Sequence, residues 1–254
     1  MASMLPIGAE ARAQDQQKWA LLVGISDYGD LCSYGDLLYC HKDAIDLYNV
    51  LVDQYNWKPS HIKMLINESA TEENIINGIS WLKERCSNPQ STAVFYFSGH
   101  GDFWADKSAV PNRDEPRDQS IMPYDSDTGT AEHIIFDDSL QEYFSGFRST
   151  QTVLIFDSCY SGGMIDELGV EGNLIMSSCR VNEMCDEGGR GKIQIENGVY
   201  TYCILNALKG MGDSNGDGMV SMEEAASYAE VHVRDITRNV HPVTYDGIMG
   251  ETFL

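Results

Sequence analysis

Two apolar runs of strand length each stop at a chemically reactive residue. The run FYFSGHG loses its apolar character just before His100, and the run LIFDSCYSGG does so just before Cys159. Glycines and small residues around both allow the backbone to turn sharply and to approach a ligand closely. In a parallel α/β sheet, the carboxyl ends of adjacent strands meet at one crevice. If the two strands are neighbours, thiol and imidazole face each other there as a nucleophilic dyad.

The rest of the chain alternates between strand and helix patterns. Apolar runs predict strands over residues 19–26, 62–66, 92–98, 152–157 and 173–178, and helical periodicity predicts helices over 41–55, 71–82, 137–147, 200–208 and 222–236. The polar segment 102–135 predicts a long functional loop with a short extended piece at 121–123. Strands that alternate with helices predict an α/β fold with a mostly parallel sheet covered on both faces, in one domain over 19–254.

The charge of the chain narrows the class of partner. A net charge of −22 argues against nucleic acid, whose phosphates would be repelled, and favours cationic substrates or bound metal ions. High solubility is the simpler explanation of the same charge. No run of 18 apolar residues exists, so the chain is predicted to have no membrane span.

The cysteines do not form a recognisable framework. Their number, seven, is odd, their spacing is irregular, and no CxxC pair exists. They therefore predict neither a disulfide scaffold nor a zinc knuckle, and most are expected to be buried as small hydrophobic side chains. Cys159 differs from the others because it follows a strand end.

Residues 1–18 lack periodicity and are predicted to be a flexible leader. Ala11, Arg12 and Ala13 resemble the small-residue end of a signal peptide, although no apolar segment precedes them. The chain therefore begins either with an ordinary leader or inside a trimmed export signal. The compartment stays open between cytoplasm and export.

Acyl transfer on a peptide bond is the natural reaction of a Cys–His dyad. A thiol is a modest nucleophile at neutral pH unless a base raises its thiolate fraction, and His100 supplies that base. The imidazole then donates the proton to the leaving amine. Backbone amides at Gly101 and Cys159 are expected to stabilise the oxyanion. A buried cysteine and a packed histidine are the alternative for either residue alone, but the joint pattern favours catalysis.

Six motifs extend the pattern beyond the dyad. They are ALLVGI (20–25), LYCHKDA (38–44), YFSGHG (96–101), DQSIMPYD (118–125), FDD (136–138) and DSCYSG (157–162). Taken in this order, the chain resembles caspase-fold cysteine peptidases, and within that clan metacaspases and their prokaryotic relatives. The resemblance spans most of the chain. It implies a caspase-like, mostly parallel sheet of about six strands, a monomer, and His100 and Cys159 as the catalytic pair.

The resemblance also implies a pocket for a basic residue, formed by Asp43 and Asp157 and lined by Cys40 and Ser98. Two carboxylates beside the nucleophile attract a guanidinium or ammonium group and repel an acidic side chain. We therefore expect cleavage of a peptide or protein substrate after Arg or Lys. The sequence Gln-Ala-Cys, which precedes and includes the nucleophile of caspases, is absent around Cys159, and this argues against specificity for aspartate. The alternative is that Asp43 is a solvated or helix-starting charge and that Asp157 braces the turn.

Metacaspase relatives often bind calcium through aspartates near the active site. The resemblance places such a Ca²⁺ site at Asp118, Asp137, Asp138 and Asp166. Carboxylate oxygens from several loops suit this ion. The match is partial, because Gln119 stands where many relatives have an acidic residue. Solvated acidic loops are the alternative.

A second calcium site is predicted from a single loop. The run DSNGDGMVSMEE, which begins at Asp213, matches the EF-hand loop at every diagnostic position. Side-chain oxygens would come from Asp213, Asn215 and Asp217, a backbone carbonyl from Met219, and a bidentate carboxylate from Glu224. A lone loop favours a structural ion over a sensor. A polar turn between two helices is the alternative.

The glycine-rich segment 183–196 carries Arg190 and Lys192. An exposed basic loop is a target for proteolysis, so an enzyme that cuts after basic residues is expected to cut itself there. A mobile surface loop without processing is the alternative.

The sequence thus predicts a calcium-assisted cysteine endopeptidase. Two other functions stay open: a caspase-fold peptidase of other specificity, such as asparagine, and a non-catalytic calcium-binding interaction module. The presence of both His100 and Cys159 weighs against a non-catalytic module. Faster alkylation of Cys159 than of the other cysteines would separate the two classes.

Overall fold

The computed structural model describes residues 17–105, 117–188 and 194–254. Its strands are β1 (Lys18–Gly24), β2 (Ile62–Ile66), β3 (Thr92–Ser98), β4 (Gly101–Ala105), β5 (Arg117–Ile121), β6 (Ile135–Phe136), β7 (Gln151–Asp157), β8 (Asn173–Ser177) and β9 (Val243–Asp246). Its α-helices are α1 (Cys40–Asp53), α2 (Glu72–Arg85), α3 (Asp137–Phe144), α4 (Met164–Leu168), α5 (Val199–Asn206) and α6 (Met222–Thr237). Residues 1–16 of the predicted leader lie outside the described residues, and β1 already begins at Lys18.

Six strands form one sheet in the order β2-β1-β3-β7-β8-β9. All neighbouring pairs are parallel except β8 and β9, which are antiparallel at one edge. The prediction of a mostly parallel sheet is therefore confirmed. β3 and β7 are neighbours, in a register that pairs Ser98 with Asp157. Their carboxyl ends are level, so the turns that follow them start at the same edge of the sheet.

Helices cover both faces of this sheet, as predicted. α1, α5 and α6 pack on one face, and α2, α3 and α4 pack on the other. Every residue of β3 is buried. Because side chains alternate along a strand, Tyr96 contributes to one core and Phe95 and Phe97 to the other. β3 is thus fixed by apolar packing on both sides, and it carries the turn with His100.

Local signals set two of the helix starts. Thr71 caps α2, and its Oγ1 accepts a hydrogen bond from the backbone N–H of Asn74 at 3.3 Å. Acidic residues in the first turn of α2 and basic residues in its last turn complement the helix dipole. Ser221 and Glu224 form a capping box at the start of α6. The loop ahead of α6 therefore ends at a well-defined helix start.

The prediction of a long loop over 102–135 is wrong for part of the segment. β4, β5 and β6 form a second, three-stranded antiparallel sheet. Asp118, Gln119 and Ser120 of β5 are buried although they are polar. The strand therefore lacks the alternation of apolar and polar residues by which a strand is recognised. The extended piece predicted at 121–123 corresponds only to the end of β5.

Smaller differences concern element ends and short elements. The helix predicted over 137–147 ends at Phe144, and Gly146 beyond it has a φ of 73°. The short helix α4 was not predicted. All seven cysteines are free thiols. Among the helices of the described residues, none is long and apolar enough to cross a membrane.

Candidate active site

The turns after β3 and β7 touch each other. The backbone N–H of Gly99 donates to the carbonyl oxygen of Asp157 at 3.3 Å. A Cβ at Gly101 would overlap the carbonyl oxygen of Cys159, so only glycine lets the two turns come this close. The structure therefore brings the predicted residues His100, Gly101 and Cys159 to one edge of the sheet.

His100 is held by its ring and by its backbone. Its Nε2 lies 2.9 Å from the carbonyl oxygen of Gly35, and its backbone N–H donates to the hydroxyl oxygen of Tyr28 at 2.7 Å. The ring centroids of His100 and Tyr28 are 4.7 Å apart. A carbonyl oxygen only accepts, so Nε2 carries the hydrogen and Nδ1 keeps the lone pair of the neutral ring. Nδ1 is therefore the atom that takes up a proton.

The protonation state of His100 suits a general base. Burial lowers the pKa of His100, against the opposing effects of the Gly35 carbonyl and of nearby carboxylates such as Glu187. The neutral imidazole therefore prevails at neutral pH. A neutral ring with a free Nδ1 is the form that accepts a proton from a nucleophile.

Cys159 lies half-buried beside a second thiol. Its Sγ is 3.8 Å from the Sγ of Cys185. The hydrogen bond from Cys185 lowers the pKa of Cys159, although burial opposes this, and the same bond raises the pKa of Cys185. At a given pH, a larger fraction of Cys159 than of Cys185 is therefore in the thiolate form. The backbone N–H of Tyr160 donates to the carbonyl oxygen of Glu183 at 2.8 Å, which holds the segment with Cys185 against the turn that carries Cys159, called the nucleophile turn below for the role predicted for this residue.

Asp43 and Asp157 converge on one glycine. A Cβ on Gly198 would overlap Oδ2 of Asp157 and lie 3.1 Å from Oδ2 of Asp43. The backbone N–H of Gly198 lies within hydrogen-bond distance of both Asp43 oxygens, at 3.0 and 3.1 Å. Thr201 donates to Oδ2 of Asp157 from its backbone N–H at 3.0 Å and from its hydroxyl at 2.7 Å. These donors are neutral, so they solvate the two buried charges without cancelling them.

Ser98 and Cys40 belong to the same cluster. The Ser98 hydroxyl donates to Oδ2 of Asp43 at 2.8 Å, and the side-chain amide of Asn197 donates to Oδ1 at 2.9 Å. Cys40 lies close to the same carboxylate: burial raises the pKa of Cys40, and the charge of Asp43 is the next cause of this shift. All four residues predicted to form the pocket are therefore in one place.

The two buried carboxyls, Asp43 and Asp157, are unusually weak acids. Burial raises the pKa of Asp43 to about 8, and the charge of Asp157 adds to this shift. Burial also raises the pKa of Asp157 to about 6, against the two hydrogen bonds from Thr201. Carboxyls with such pKa values exchange protons near neutral pH. A cation placed beside them would favour the fully ionised pair.

The sequence reasoning missed the residues that support the site. Tyr28 and Gly35 lie in the segment after β1, and Cys185 and Gly198 lie in the segment after β8. One signal was present for Tyr28, because it follows the carboxyl end of a strand in a sheet whose strand ends form the crevice. The others act through contacts between segments far apart in sequence, which no local pattern shows.

Three of the four aspartates predicted as one calcium site come together at the start of α3. Asp137 accepts from the backbone N–H of Gln119 at 2.9 Å and from that of Asp138 at 3.1 Å. Burial raises the pKa of Asp137 to about 7, and the charges of Asp118 and Asp138 contribute to the shift. Asp166 lies in the first turn of α4, which packs beside α3.

The EF-hand-like loop folds around its own acidic side chains. Asp213 accepts from the backbone N–H of Gly216 at 2.7 Å and from that of Gly218 at 3.0 Å. Asp217 accepts from the backbone N–H of Met219 at 2.9 Å. Gly218 has a φ of 87°, which glycine adopts at little cost. The sharp turn of an EF-hand loop is thus present at the position where the pattern has its glycine.

Glu224 closes this loop from the start of α6. Its Oε1 accepts from the backbone N–H and the hydroxyl of Ser214 at 3.0 and 2.9 Å, and its Oε2 accepts from the backbone N–H of Ser221. Asn215 accepts from the backbone N–H of Asp217 at 2.8 Å. Within residues 17–105, 117–188 and 194–254, no group of three or more His, Cys, Asp or Glu side chains is arranged to hold a metal ion. The oxygen atoms of the loop are of the chemical type that Ca²⁺ prefers, and Oε1 of Glu224 is engaged by Ser214.

Fold and site together define a caspase-fold cysteine peptidase. A family model for the metacaspase peptidase C14 domain matches residues 18–168, which contain both reactive turns. The chain belongs to the metacaspase family and carries a cysteine peptidase domain.

Curated relatives agree with this assignment. The chain is 31% identical to Metacaspase-1 of Pyricularia oryzae over 157 residues, which cover 58% of this chain and 37% of that protein. It is 32% identical to Metacaspase-1 of Meyerozyma guilliermondii over 160 residues, 59% of this chain and 36% of that protein. The chain thus matches little more than a third of the length of these relatives. A crystal structure of a protein from Geobacter sulfurreducens shares the fold, with a TM-score of 0.66, 16% identity, and coverage of 92% of this chain and 94% of that one.

Proposed function

We propose that this protein is a calcium-assisted cysteine endopeptidase that cleaves peptide bonds after Arg or Lys. The observation that carries the proposal is the pair of buried carboxylates, Asp43 and Asp157, which converge on Gly198. They lie at the sheet edge that carries His100 and Cys159. A cation beside these two carboxyls would favour the ionised form of both, so the best occupant of such a pocket is a long cationic side chain.

The proposed reaction begins when Nδ1 of His100 takes the thiol proton of Cys159. The thiolate attacks the scissile carbonyl carbon, and a tetrahedral oxyanion forms. When the oxyanion collapses, the amine leaves with the proton of the imidazolium, and a thioester remains on Sγ. Water then gives a proton to the neutral imidazole and attacks the thioester, which releases the acid product and restores the thiol. Throughout, the Gly35 carbonyl holds Nε2–H in place.

Charge explains the preference for basic side chains. Burial destabilises the ionised forms of Asp43 and Asp157, so a guanidinium or ammonium group gains free energy by pairing with them. An Asp side chain would add a third negative charge, and an Asn side chain would leave the pair uncompensated. Arg also offers several N–H donors in a planar fork, so it is expected to be preferred over Lys.

Calcium enters the proposal through the EF-hand-like loop between α5 and α6. The ion would be held by Asp213, Asn215, Asp217, Met219 and Glu224. Bound Ca²⁺ would supply a fixed positive charge that ties the loop to the start of α6. α5 carries Thr201, whose hydroxyl donates to Asp157, so an ion that fixes the connection between the two helices also steadies the pocket. A second ion is proposed at Asp118, Asp137, Asp138 and Asp166.

Self-cleavage is part of the same proposal. Arg190 and Lys192 lie outside the described residues, but the chain is anchored on both sides of them. Glu187 accepts from the backbone N–H of Leu38 at 2.9 Å, and Asn197 donates to a pocket carboxylate at 2.9 Å. The two basic residues therefore lie within a few positions, along the chain, of groups that contact the pocket region.

A panel of fluorogenic peptides tests the proposal. The peptides differ only in Arg, Lys, Asn or Asp before the scissile bond, and the wild type and Cys159→Ala are compared with and without calcium. We expect cleavage after Arg and Lys only, none by Cys159→Ala, and calcium dependence. The wild-type chain is expected to break after Arg190 or Lys192, and the Cys159→Ala chain is expected to stay intact.

Each part of the proposal has its own contradicting result. Faster cleavage after Asn or Asp than after Arg would contradict the basic-residue specificity. Activity that survives strong chelation would contradict the role of calcium. Light scattering is expected to show a monomer, and a stable dimer would contradict that expectation.

A further inference from the structure

Two thiols that are distant in sequence lie side by side at the nucleophile turn. The Sγ atoms of Cys159 and Cys185 are 3.8 Å apart. Cys159 follows β7, and Cys185 lies in the segment after β8. Both residues are half-buried, whereas Cys40, Cys86 and Cys203 are buried, so the pair is the more accessible to a small oxidant.

The two thiols have different chemical roles. The hydrogen bond from Cys185 lowers the pKa of Cys159, and this same bond raises the pKa of Cys185. Peroxides react with the thiolate, so Cys159 is the sulfur that is oxidised first. Cys185 keeps its proton and remains available as the second thiol.

We propose that Cys159 and Cys185 form a reversible oxidation site that switches the peptidase off. A hydroperoxide transfers one oxygen atom to the Cys159 thiolate, its O–O bond breaks, and a sulfenic acid forms. The Cys185 thiol attacks that sulfur, a water molecule leaves, and a disulfide joins the two residues. The peroxide has then accepted two electrons from the two sulfurs. A dithiol reductant restores both thiols by exchange and is itself oxidised.

The disulfide removes the nucleophile that the proposed function needs. Its formation also protects Cys159, because a sulfenic acid without a neighbouring thiol goes on to the irreversible sulfinic acid. The loss of activity rests on the proposed peptidase function, whereas the disulfide itself does not.

Closing the bond requires a small movement. A disulfide has a sulfur–sulfur distance of about 2.05 Å, so the two atoms must approach by about 1.8 Å. Cys185 belongs to neither helix nor strand, so side-chain rotation and a shift of its segment supply this movement. The hydrogen bond from Tyr160 to the Glu183 carbonyl keeps that segment adjacent to the nucleophile turn. His241 holds the Glu183 carboxylate in turn, at 2.7 Å.

Cys179 provides a matched control on the same segment. Its thiol contacts the carbonyl oxygens of Ser158 and Glu183 at 3.4 and 3.1 Å. Burial raises the pKa of Cys179 to about 11, so it stays a thiol. The substitution Cys179→Ser therefore removes a nearby sulfur without removing either member of the proposed pair.

The test treats the reduced protein with hydrogen peroxide and follows both activity and mass. The wild type is expected to lose at least about tenfold in activity and to regain it with dithiothreitol. Peptide mapping without reduction is expected to show a link between Cys159 and Cys185, with the loss of two hydrogens, and Cys179→Ser is expected to behave in the same way. In Cys185→Ser, Cys159 is expected to react with dimedone early in the treatment, while it is a sulfenic acid. After longer treatment it becomes a sulfinic acid, and the activity, relative to that of the untreated variant, is expected to stay lost after reduction.

Three results would overturn the proposal: no linked peptide in the oxidised wild type, a link from Cys159 to Cys179 instead, or full recovery of Cys185→Ser. The mapping does not depend on turnover. If the untreated protein cleaves no peptide, the proposed function fails. The presence or absence of the linked peptide still shows whether Cys159 and Cys185 form a disulfide.

Discussion

Nε2 of His100 lies 2.9 Å from the carbonyl oxygen of Gly35. This bond connects His100 to the segment after β1, whereas the two reactive turns follow β3 and β7. Gly35 has a φ of 77°, a conformation that glycine adopts readily. The bond selects the tautomer in which Nδ1 accepts a proton. A main-chain oxygen thus orients the imidazole of His100.

Tyr34 supports this arrangement from the position before Gly35. Its hydroxyl donates to the carboxylate of Asp102, and its ring meets that of His100 edge-on, with 5.6 Å between centroids. We expect Tyr34→Phe to lower kcat about three- to tenfold with little change in KM, because one hydrogen bond that supports the Gly35 carbonyl is lost. Steady-state kinetics measure both constants. Asp102→Asn should lower kcat to a similar extent, because it weakens the same hydrogen bond. If the effects of the two substitutions on the activation free energy simply add in the double variant, the two residues act separately and the prediction is wrong.

Gly101 sets the distance between the two reactive turns. We expect Gly101→Ala to lower kcat/KM by at least about a hundredfold, since the nucleophile turn must shift to make room for the new Cβ. The shift is also expected to cost about 1–3 kcal/mol of the free energy of unfolding. Peptide cleavage and urea denaturation measure these two effects.

Gly129→Ala is the control for this substitution. The nearest atom to its new Cβ is a side-chain oxygen of Asp127, at 3.2 Å, and we expect the free energy of unfolding to change by no more than about 0.5 kcal/mol. Similar losses of activity in both variants would contradict the role assigned to Gly101.

The stability of the protein is expected to fall as the pH rises from about 4 to about 8. Burial raises the pKa of Asp43 to about 8 and that of Asp157 to about 6. Both carboxyls therefore bind protons more tightly in the folded chain than in the unfolded chain. Folding is favoured while they are protonated, and this advantage, on the order of a few kcal/mol, is lost as each ionises. Urea denaturation across this pH range measures the trend.

Asp43→Asn removes one of these titrations. The new amide oxygen can still accept from Gly198, and the hydroxyl of Ser98 can turn to accept from the new amide group. We expect a shallower loss of stability with pH and a more stable protein near pH 8. If the variant keeps the slope of the wild type, Asp43 is not the titrating group.

Calcium is expected to raise the thermal midpoint of the protein, because the proposed ion would bind the folded loop and not the unfolded chain. Glu224→Gln should weaken calcium binding by at least about tenfold, since the bidentate carboxylate of the loop is lost. Glu223→Gln is the control, because the Glu223 carboxylate accepts from the backbone N–H of Thr252 at 2.9 Å. Isothermal titration with CaCl₂ compares the three proteins, and equal weakening in both variants would refute the assignment.

The sequence contained most of the information about the sheet and the two reactive turns. The bounds of β2 and β3 agree with the prediction. For β3 the reason is clear, because a continuous apolar run is typical of a buried parallel strand. β2 is an edge strand in which only Leu65 is buried. β5 escaped prediction because Asp118, Gln119 and Ser120 are buried and polar. Its backbone pairs with β4 and β6, and such pairing leaves no trace in side-chain type.

The supporting contacts of the site could not be predicted for a similar reason. The carbonyl oxygen of Gly35 and the backbone N–H of Gly198 are main-chain groups, which any residue type supplies. No role could be predicted for Cys185, because the neighbouring thiol, that of Cys159, follows a different strand and is distant in the sequence. Asp43 and Asp157 were found only through the resemblance to metacaspases, since two carboxylates far apart in the chain do not by themselves predict a common pocket.

β3 lies in the middle of the six-stranded sheet, and all of its side chains are buried. The part of a protein with the most buried contacts is the last to open, so the amides of β3 should exchange with deuterium among the slowest. Those around Cys185, which belong to neither helix nor strand, should exchange far sooner. His100 thus follows the strand that we expect to be most protected, and the segment with Cys185 is the part beside it that we expect to adapt when a peptide substrate binds.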